Sequence, residues 1–327
     1  MDVYIISLNN PISLINEIAG YDLNPILVEG VNGSKLNYKE IKENTTTSCS
    51  VICPKSVIGI GMSHIKSWEL FLKSGKKNAL IVEDDVVFTK DFKKDLKINM
   101  ENVPSDYDVL YLGCFGCTTN INFYTFTGFF TNQLNLNTKK INKYVSKPLF
   151  VGAAHAYIIT QNGATKLIHN IKHKISIHID MQINQLIRDN FINAYSLNKR
   201  IVYQTSTDDT LSTNVSSNHP YLLNSILSNY YIDTKVKASY ISTVSFIRIG
   251  NVNLTFWTTF FLMLGIILST SDLDIYKISA GYMLISLPDI YINSNKEMII
   301  IHYFILIIPF LILKYYNVWS YIDNKKN

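Results

Sequence analysis

The chain has 327 residues, 17% of them charged, and a formal net charge of +5. That charge is scattered over isolated lysines, and the arginines are only Arg188, Arg200 and Arg248, so no basic stripe interleaved with aromatics marks a nucleic-acid surface. A charged fraction below the usual level of about a quarter, with a slightly positive mean hydropathy, implies that part of the chain lies outside water.

The first predicted element is an apolar strand over Val3–Ile6. Its C-terminal end carries Ser7, Leu8 and Asn9, the place where α/β domains commonly hold a nucleotide. No basic stretch precedes it and Asn9-Asn10-Pro11 interrupts it, so a signal peptide is not expected. A helix over residues 12–19 and a strand over Pro25–Glu29 follow, and residues 34–56 read as a polar loop. From Ile58 the apolar spacing is helical, with His64 and Trp68 on one face, and Ser74-Gly75 stops it. Ala79–Val82 is wholly apolar, the pattern of a strand covered on both faces. Glu83, Asp84 and Asp85 come directly after it. Carboxylates crowded at a strand end repel one another, and a cation relieves that repulsion. The strand period puts Glu83 and Asp85 on one side, toward that cation, and Asp84 on the other.

A Lys-rich helix over residues 91–100, a strand over Val109–Leu112, and a long polar and aromatic segment over 114–147 come next, the last a candidate acceptor-side lid. Phe150–Thr160 reads as a strand, Asn162–Asn170 as a helix, and His178-Ile179-Asp180 opens another helix through Leu186. Ala194–Leu197 and Ile201–Tyr203 are short strands, and Thr205–Asn218 is a polar tail. The close cysteine pairs Cys49/Cys53 and Cys114/Cys117 are expected to be reduced thiols rather than zinc ligands or disulfides. The alternation of strands and helices predicts an α/β domain over residues 1–220 with a largely parallel sheet and its chemistry at the carboxyl ends of strands.

Composition changes after residue 220. Residues 221–248 read as a juxtamembrane linker and 249–327 as a hydrophobic helical region. Ile249–Ser271 and Met298–Leu313 are charge-free and are the two expected transmembrane spans, while Ile278–Leu287 reads as interfacial, re-entrant or a weak third span. The lysines flanking the spans place both ends, and the first domain, in the cytosol by the positive-inside rule.

Several blocks in order, VYIISLNN, LVEGVNGS, GIGMSHIKSW, ALIVEDDVVF, DVLYLG, VGAAHAYIITQNGATKL and HID, resemble the family 25 glycosyltransferases, the lipopolysaccharide and collagen galactosyltransferase group. The chain departs where the family has an Arg after the first block's Asn (Asn10-Pro11 here), a Cys (Ile60) and an earlier Gly (Ser56). The resemblance implies a GT-A-like, Rossmann-type nucleotide-binding domain. It also implies transfer of a hexose, galactose or glucose, from a UDP-sugar to a hydroxyl of a glycan, lipid-linked or protein acceptor, with inversion and with Mn²⁺ or Mg²⁺ on the diphosphate. On that basis Asp85 and Glu83 are the expected metal ligands. Glu83, Asp84, His64, Ser7, Leu8 and Asn9 are the expected donor-site residues, and Asp180 or Asp208 (with Asp209 beside it) the expected general base. A catalytically inactive sugar-binding scaffold on a membrane is the alternative. A nucleotidyl- or phosphotransferase is less favoured, because no Gly-rich phosphate loop is present.

Overall fold

The apolar runs of the first half become the middle of one sheet. The computed structural model describes residues 1–117, 138–148, 150–205, 219–233, 236–250, 252–292 and 296–316. It divides into Met1–Thr207 with Ile232–Val236, and Asp208–Tyr231 with Lys237–Asn327.

The first unit is built on eight strands in the order β2-β1-β3-β8-β5-β9-β7-β6. These are β1 (Asp2–Ser7), β2 (Asn24–Glu29), β3 (Asn78–Glu83), β5 (Val109–Phe115), β6 (Lys139–Lys140), β7 (Val145–Lys147), β8 (Gly152–Thr160) and β9 (Ala194–Leu197). A separate ribbon pairs β4 (Val86–Phe88) with β10 (Val202–Gln204). The sheet is mixed rather than largely parallel. β1 runs parallel to β2 and β3, but β8 is antiparallel to both β3 and β5, and β7 is antiparallel to β9.

Alternation along each strand divides the core between two faces. Tyr4, Ile6, Ile81, Tyr111 and Tyr157 face α4 (Lys55–Ser74), α6 (Gln161–Ile171) and α7 (Ile179–Arg188), meeting Trp68, Phe71, Leu167 and Ile183. Val3, Ile5, Leu80, Val82 and Ile158 face α1 (Ile12–Gly20) and α5 (Phe92–Asn102), meeting Leu14, Ile18, Phe92 and Leu96. The central strands are therefore covered on both sides, as their unbroken apolar runs require. Residues 34–56 are not a plain loop: they contain α2 (Tyr38–Asn44) and α3 (Thr47–Ile52). Asn37 and Glu40 form a reciprocal capping box on α2, and the Thr46 side chain caps α3. Both cysteine pairs are disulfide-bonded, with Cα atoms 4.7 Å apart for Cys49–Cys53 and 5.9 Å for Cys114–Cys117, which corrects the expectation of reduced thiols. A spacing of three or four residues on a helix end or a turn brings Cα atoms into the range that a disulfide spans.

The second unit contains α8 (Tyr221–Leu227), α9 (Ala238–Thr243), a hairpin of β11 (Ile247–Ile249) and β12 (Val252–Leu254), then α10 (Phe256–Leu268), α11 (Ile275–Ile292) and α12 (Glu297–Tyr315). The expected first span is corrected here. Its opening residues form the hairpin, and α10 has 13 residues, about 20 Å of helix against a hydrocarbon core of about 30 Å. Among the described residues, α12 is the helix long and apolar enough to cross a membrane. The stretch expected to be interfacial, re-entrant or a weak third span lies in an 18-residue helix carrying Pro288 and a buried Asp289. Asp289 accepts the Tyr221 N–H at 3.1 Å and lies 3.1 Å from His219 Nδ1. His302 Nε2 lies 3.1 Å from Thr258 Oγ1.

Candidate functional site

The carboxyl ends of β1 and β3 lie side by side, with Ile6 opposite Glu83. The Ser7 hydroxyl donates to Asp84 Oδ2 and accepts the Asn9 N–H at 3.1 Å, so Ser7 joins the two strand ends. Leu8 beside it is exposed and makes no such link.

The helix before β3 is seated by its own motif. A Cβ at Gly59 would lie 2.5 Å from the Val31 carbonyl oxygen, so only glycine permits this approach to the loop after β2. One turn on, Ser63 Oγ accepts the Val31 N–H and donates to the Gly59 carbonyl, both at 2.8 Å. The helix ends at Gly75 with φ +68°, the left-handed C-cap expected there. With α4 fixed, His64 and Trp68 both reach Tyr157 of β8. His64 Nδ1 is 2.9 Å and Trp68 Nε1 is 2.8 Å from its hydroxyl. His64 Nε2 lies 3.4 Å from Glu83 Oε1, close enough for electrostatic contact but without hydrogen-bond geometry.

Asp180, in the first turn of α7, comes to the same place. Its Oδ2 accepts the Ala153 N–H at 2.8 Å and its Oδ1 accepts the Met181 N–H at 2.7 Å. Ala153 adopts φ +63°, a costly conformation for a residue with a Cβ, and this turns its N–H toward the carboxylate. Burial, then the charges of Asp180 and Asp84, push the Glu83 carboxyl up to about 8. Burial holds His64 down at about 4, against a smaller opposing pull from Asp180. At neutral pH the site thus pairs a neutral imidazole with a protonated carboxyl group. The Tyr111 hydroxyl is buried beside Asp180, with no hydrogen-bond partner among the described residues.

Asp85 goes elsewhere. β3 ends at Glu83, and Asp84-Asp85 form a turn into β4, so the strand period does not carry through the triplet. Asp85 Oδ2 accepts the Gln204 amide at 2.9 Å, and its carbonyl accepts the Thr205 N–H at 2.8 Å, which ties it to β10. Among the described residues no three His, Cys, Asp or Glu side chains converge to hold a metal ion. Asp208 and Asp209 lie outside the described residues, as do residues 118–137 of the expected lid.

Sequence reasoning missed Tyr157, the hydroxyl shared by His64 and Trp68, and Tyr111 in register beside it. Its only signal is an aromatic residue in an apolar strand, which core packing explains equally well.

A profile described as Glycosyltransferase family 25 (LPS biosynthesis protein) matches residues 1–185. The chain belongs to glycosyltransferase family 25. Family 25 membership makes it a glycosyltransferase, and implies a nucleotide-sugar donor and a glycan acceptor. Ser7, His64, Glu83, Asp84, Tyr157 and Asp180 all fall inside the matched segment. No curated protein matches the chain. Among solved structures, the crystal structure of A197 from STIV is similar at 12% identity, covering 65% of this chain and 87% of that one, with a TM-score of 0.35, too low to carry an argument.

Proposed function

We propose that this family 25 enzyme transfers a hexose, galactose or glucose, from a UDP-sugar to a hydroxyl of a glycan, lipid-linked or protein acceptor, with inversion at the anomeric carbon. The observation that carries the reading is the Asp180 carboxylate, gripped by two backbone N–H groups and facing Glu83 at the end of the sheet. The two hydrogen bonds fix the direction of the carboxylate, and a general base needs that fixed position. In the proposed step the acceptor hydroxyl gives its proton to Asp180 as its oxygen bonds to C1 of the sugar. The bond from C1 to the diphosphate oxygen breaks, and UDP leaves with the electron pair. Glu83, protonated at neutral pH, donates to an oxygen of the donor, and the Ser7–Asp84 pair closes the nucleotide end.

The test is a panel of radiolabelled UDP-sugars, scored for transfer and for hydrolysis by wild type and Asp180→Asn. The side-chain amide of that variant keeps an acceptor for the Ala153 N–H but cannot take a proton. Turnover is expected to fall about 10²- to 10⁴-fold with the donor still bound. Unchanged turnover would remove Asp180 from the chemistry.

We further infer that the second unit attaches the enzyme to a membrane through α12. Ile300, Phe304, Ile308 and Ile312 on that helix are exposed, while His302 is buried, a polarity suited to lipid outside and polar groups within.

A further inference from the structure

The hydrogen bonds around Tyr157 run in one direction only. Indole nitrogen is a donor with no acceptor capacity, so Trp68 Nε1 gives its proton to the phenol oxygen at 2.8 Å. The remaining partner of that hydroxyl is His64 Nδ1 at 2.9 Å, and both residues are fully buried. Once Trp68 occupies the oxygen as donor, the phenol proton is satisfied by pointing at Nδ1. Nδ1 then accepts and carries no proton of its own. An imidazole with a lone pair at Nδ1 bears its proton on Nε2. That atom is buried, has no hydrogen-bond partner among the described residues, and stands 3.4 Å from Glu83 Oε1.

We propose that Trp68, Tyr157 and His64 form a one-way hydrogen-bond relay that presents an imidazole Nε2–H to Glu83 and so positions that carboxyl group, with Oε2 left for the nucleotide-sugar donor. The positioning half rests on the donor role given to Glu83 above; the direction of the relay does not. His64 is a positioning residue, since it acts on Glu83 rather than on the sugar. The relay also explains why His and Trp sit four residues apart on α4. That spacing sets both nitrogens on one face, over a single hydroxyl of the strand beside β3. A tightening of about 0.4 to 0.6 Å on donor binding would convert the Nε2 contact to a hydrogen bond of ordinary length, about 2.8 to 3.0 Å.

The first test reads the tautomer directly. Full-length protein labelled with ¹⁵N in its imidazoles, with His64→Gln used to assign the signal, should show His64 at pH 7 as the neutral Nε2–H form. Its Nδ1 should have the shift of a hydrogen-bond acceptor. In Tyr157→Phe that Nδ1 shift should move. An Nδ1–H tautomer, or an imidazolium at pH 7, overturns the relay. The second test is kinetic. Trp68→Phe keeps an aromatic ring and removes the N–H donor together with part of the buried ring volume, and is a second variant should Tyr157→Phe fold poorly. It should raise KM for the UDP-sugar about tenfold, the worth of one hydrogen bond, with kcat within about twofold. An unchanged KM in a folded variant overturns the positioning role. Wild type with the expected tautomer but no transfer to any acceptor overturns the transferase chemistry, and the positioning role with it, leaving the relay's direction standing.

Discussion

Asp108 and Lys166 meet at 2.6 Å between Oδ2 and Nζ, with the carboxylate buried at the start of β5 and the lysine reaching in from α6. The same carboxylate takes the Asn162 amide at 2.7 Å and the Asn193 N–H at 2.9 Å. This is an acid with every oxygen answered, tying β5 to α6 and to the approach to β9. Glu83 is its opposite, an acid set against Asp84 and Asp180. We expect Asp108→Ala to cost about 1 to 2 kcal/mol of stability, because it takes the acceptor from the Asn193 N–H and unties the Lys166 amine and the Asn162 amide, both of which water can reach. Urea unfolding measures this. At temperatures where the variant is folded, transfer activity should persist.

The Glu83 carboxyl gives stability a pH dependence of definite sign. Its folded value, about 8, lies above the unfolded value of 4.5, so the folded state holds a proton that the unfolded state has released. The stabilisation is full below about pH 4.5 and is lost as pH rises through 8. Relative to Glu83→Gln, which stays neutral, wild type should lose up to about 1.4 kcal/mol per pH unit between pH 5 and 8. Paired unfolding curves across that range read the difference. A constant difference would show that Glu83 is ionised and solvated in the folded protein. His64 has the reverse sign, because its folded value of about 4 makes stability fall as pH drops from 6.5.

Gly59→Ala tests the seat of α4. The added Cβ would lie 2.5 Å from the Val31 carbonyl oxygen and 2.8 Å from the Gly33 nitrogen, both backbone atoms with little room to yield. A cost of about 2 kcal/mol in thermal or urea unfolding is expected. Because His64 lies further along the same helix, KM for the donor should rise as well.

The four cysteines should be silent to maleimide in denaturant without reductant, and all should label after reduction. Intact-mass spectrometry counts the labels. The loops closed are short, so reduction should cost no more than about 2 kcal/mol per bond.

Membrane attachment is checked by fractionation. The full chain should stay with membranes after an alkaline wash, and Phe304→Asp with Ile308→Asp, two exposed positions on α12, should release it. Release of the unaltered chain by the same wash would count against the anchor.

Much of this was legible because strands buried on both faces leave a plain signature. Ala79–Val82 and Val109–Leu112 became β3 and β5, and Ser74-Gly75 did end α4. The acidic triplet was located, but the side each acid faces was not. The period of two holds only while the strand lasts, and β3 stops at Glu83. Strand direction was equally hidden, since an antiparallel β8 reads the same as a parallel one when both of its faces are covered. Residues 34–56 read as a loop because α2 and α3 are short, although the capping pattern Asn37 to Glu40 stands in the sequence. Asp180 was visible as an acid at a helix start. Its link to Ala153 depends on a left-handed backbone at an alanine, which no residue pattern announces. Tyr157 could not be told from core until Trp68 and His64 were seen to share its hydroxyl.

The place of β9 in the sheet bears on where this enzyme can be cut. The family match stops at residue 185, yet β9 follows it and lies between β5 and β7. A protein shortened to residue 185 would lose that strand. Val109–Tyr111 of β5 would be left as an open edge of unpaired backbone groups, and the β6–β7 hairpin would have nothing to pair with. Such a fragment should aggregate, whatever its catalytic residues. Extending it through Gln204 restores β9 and also β10, the strand against which β4 and Asp85 are held.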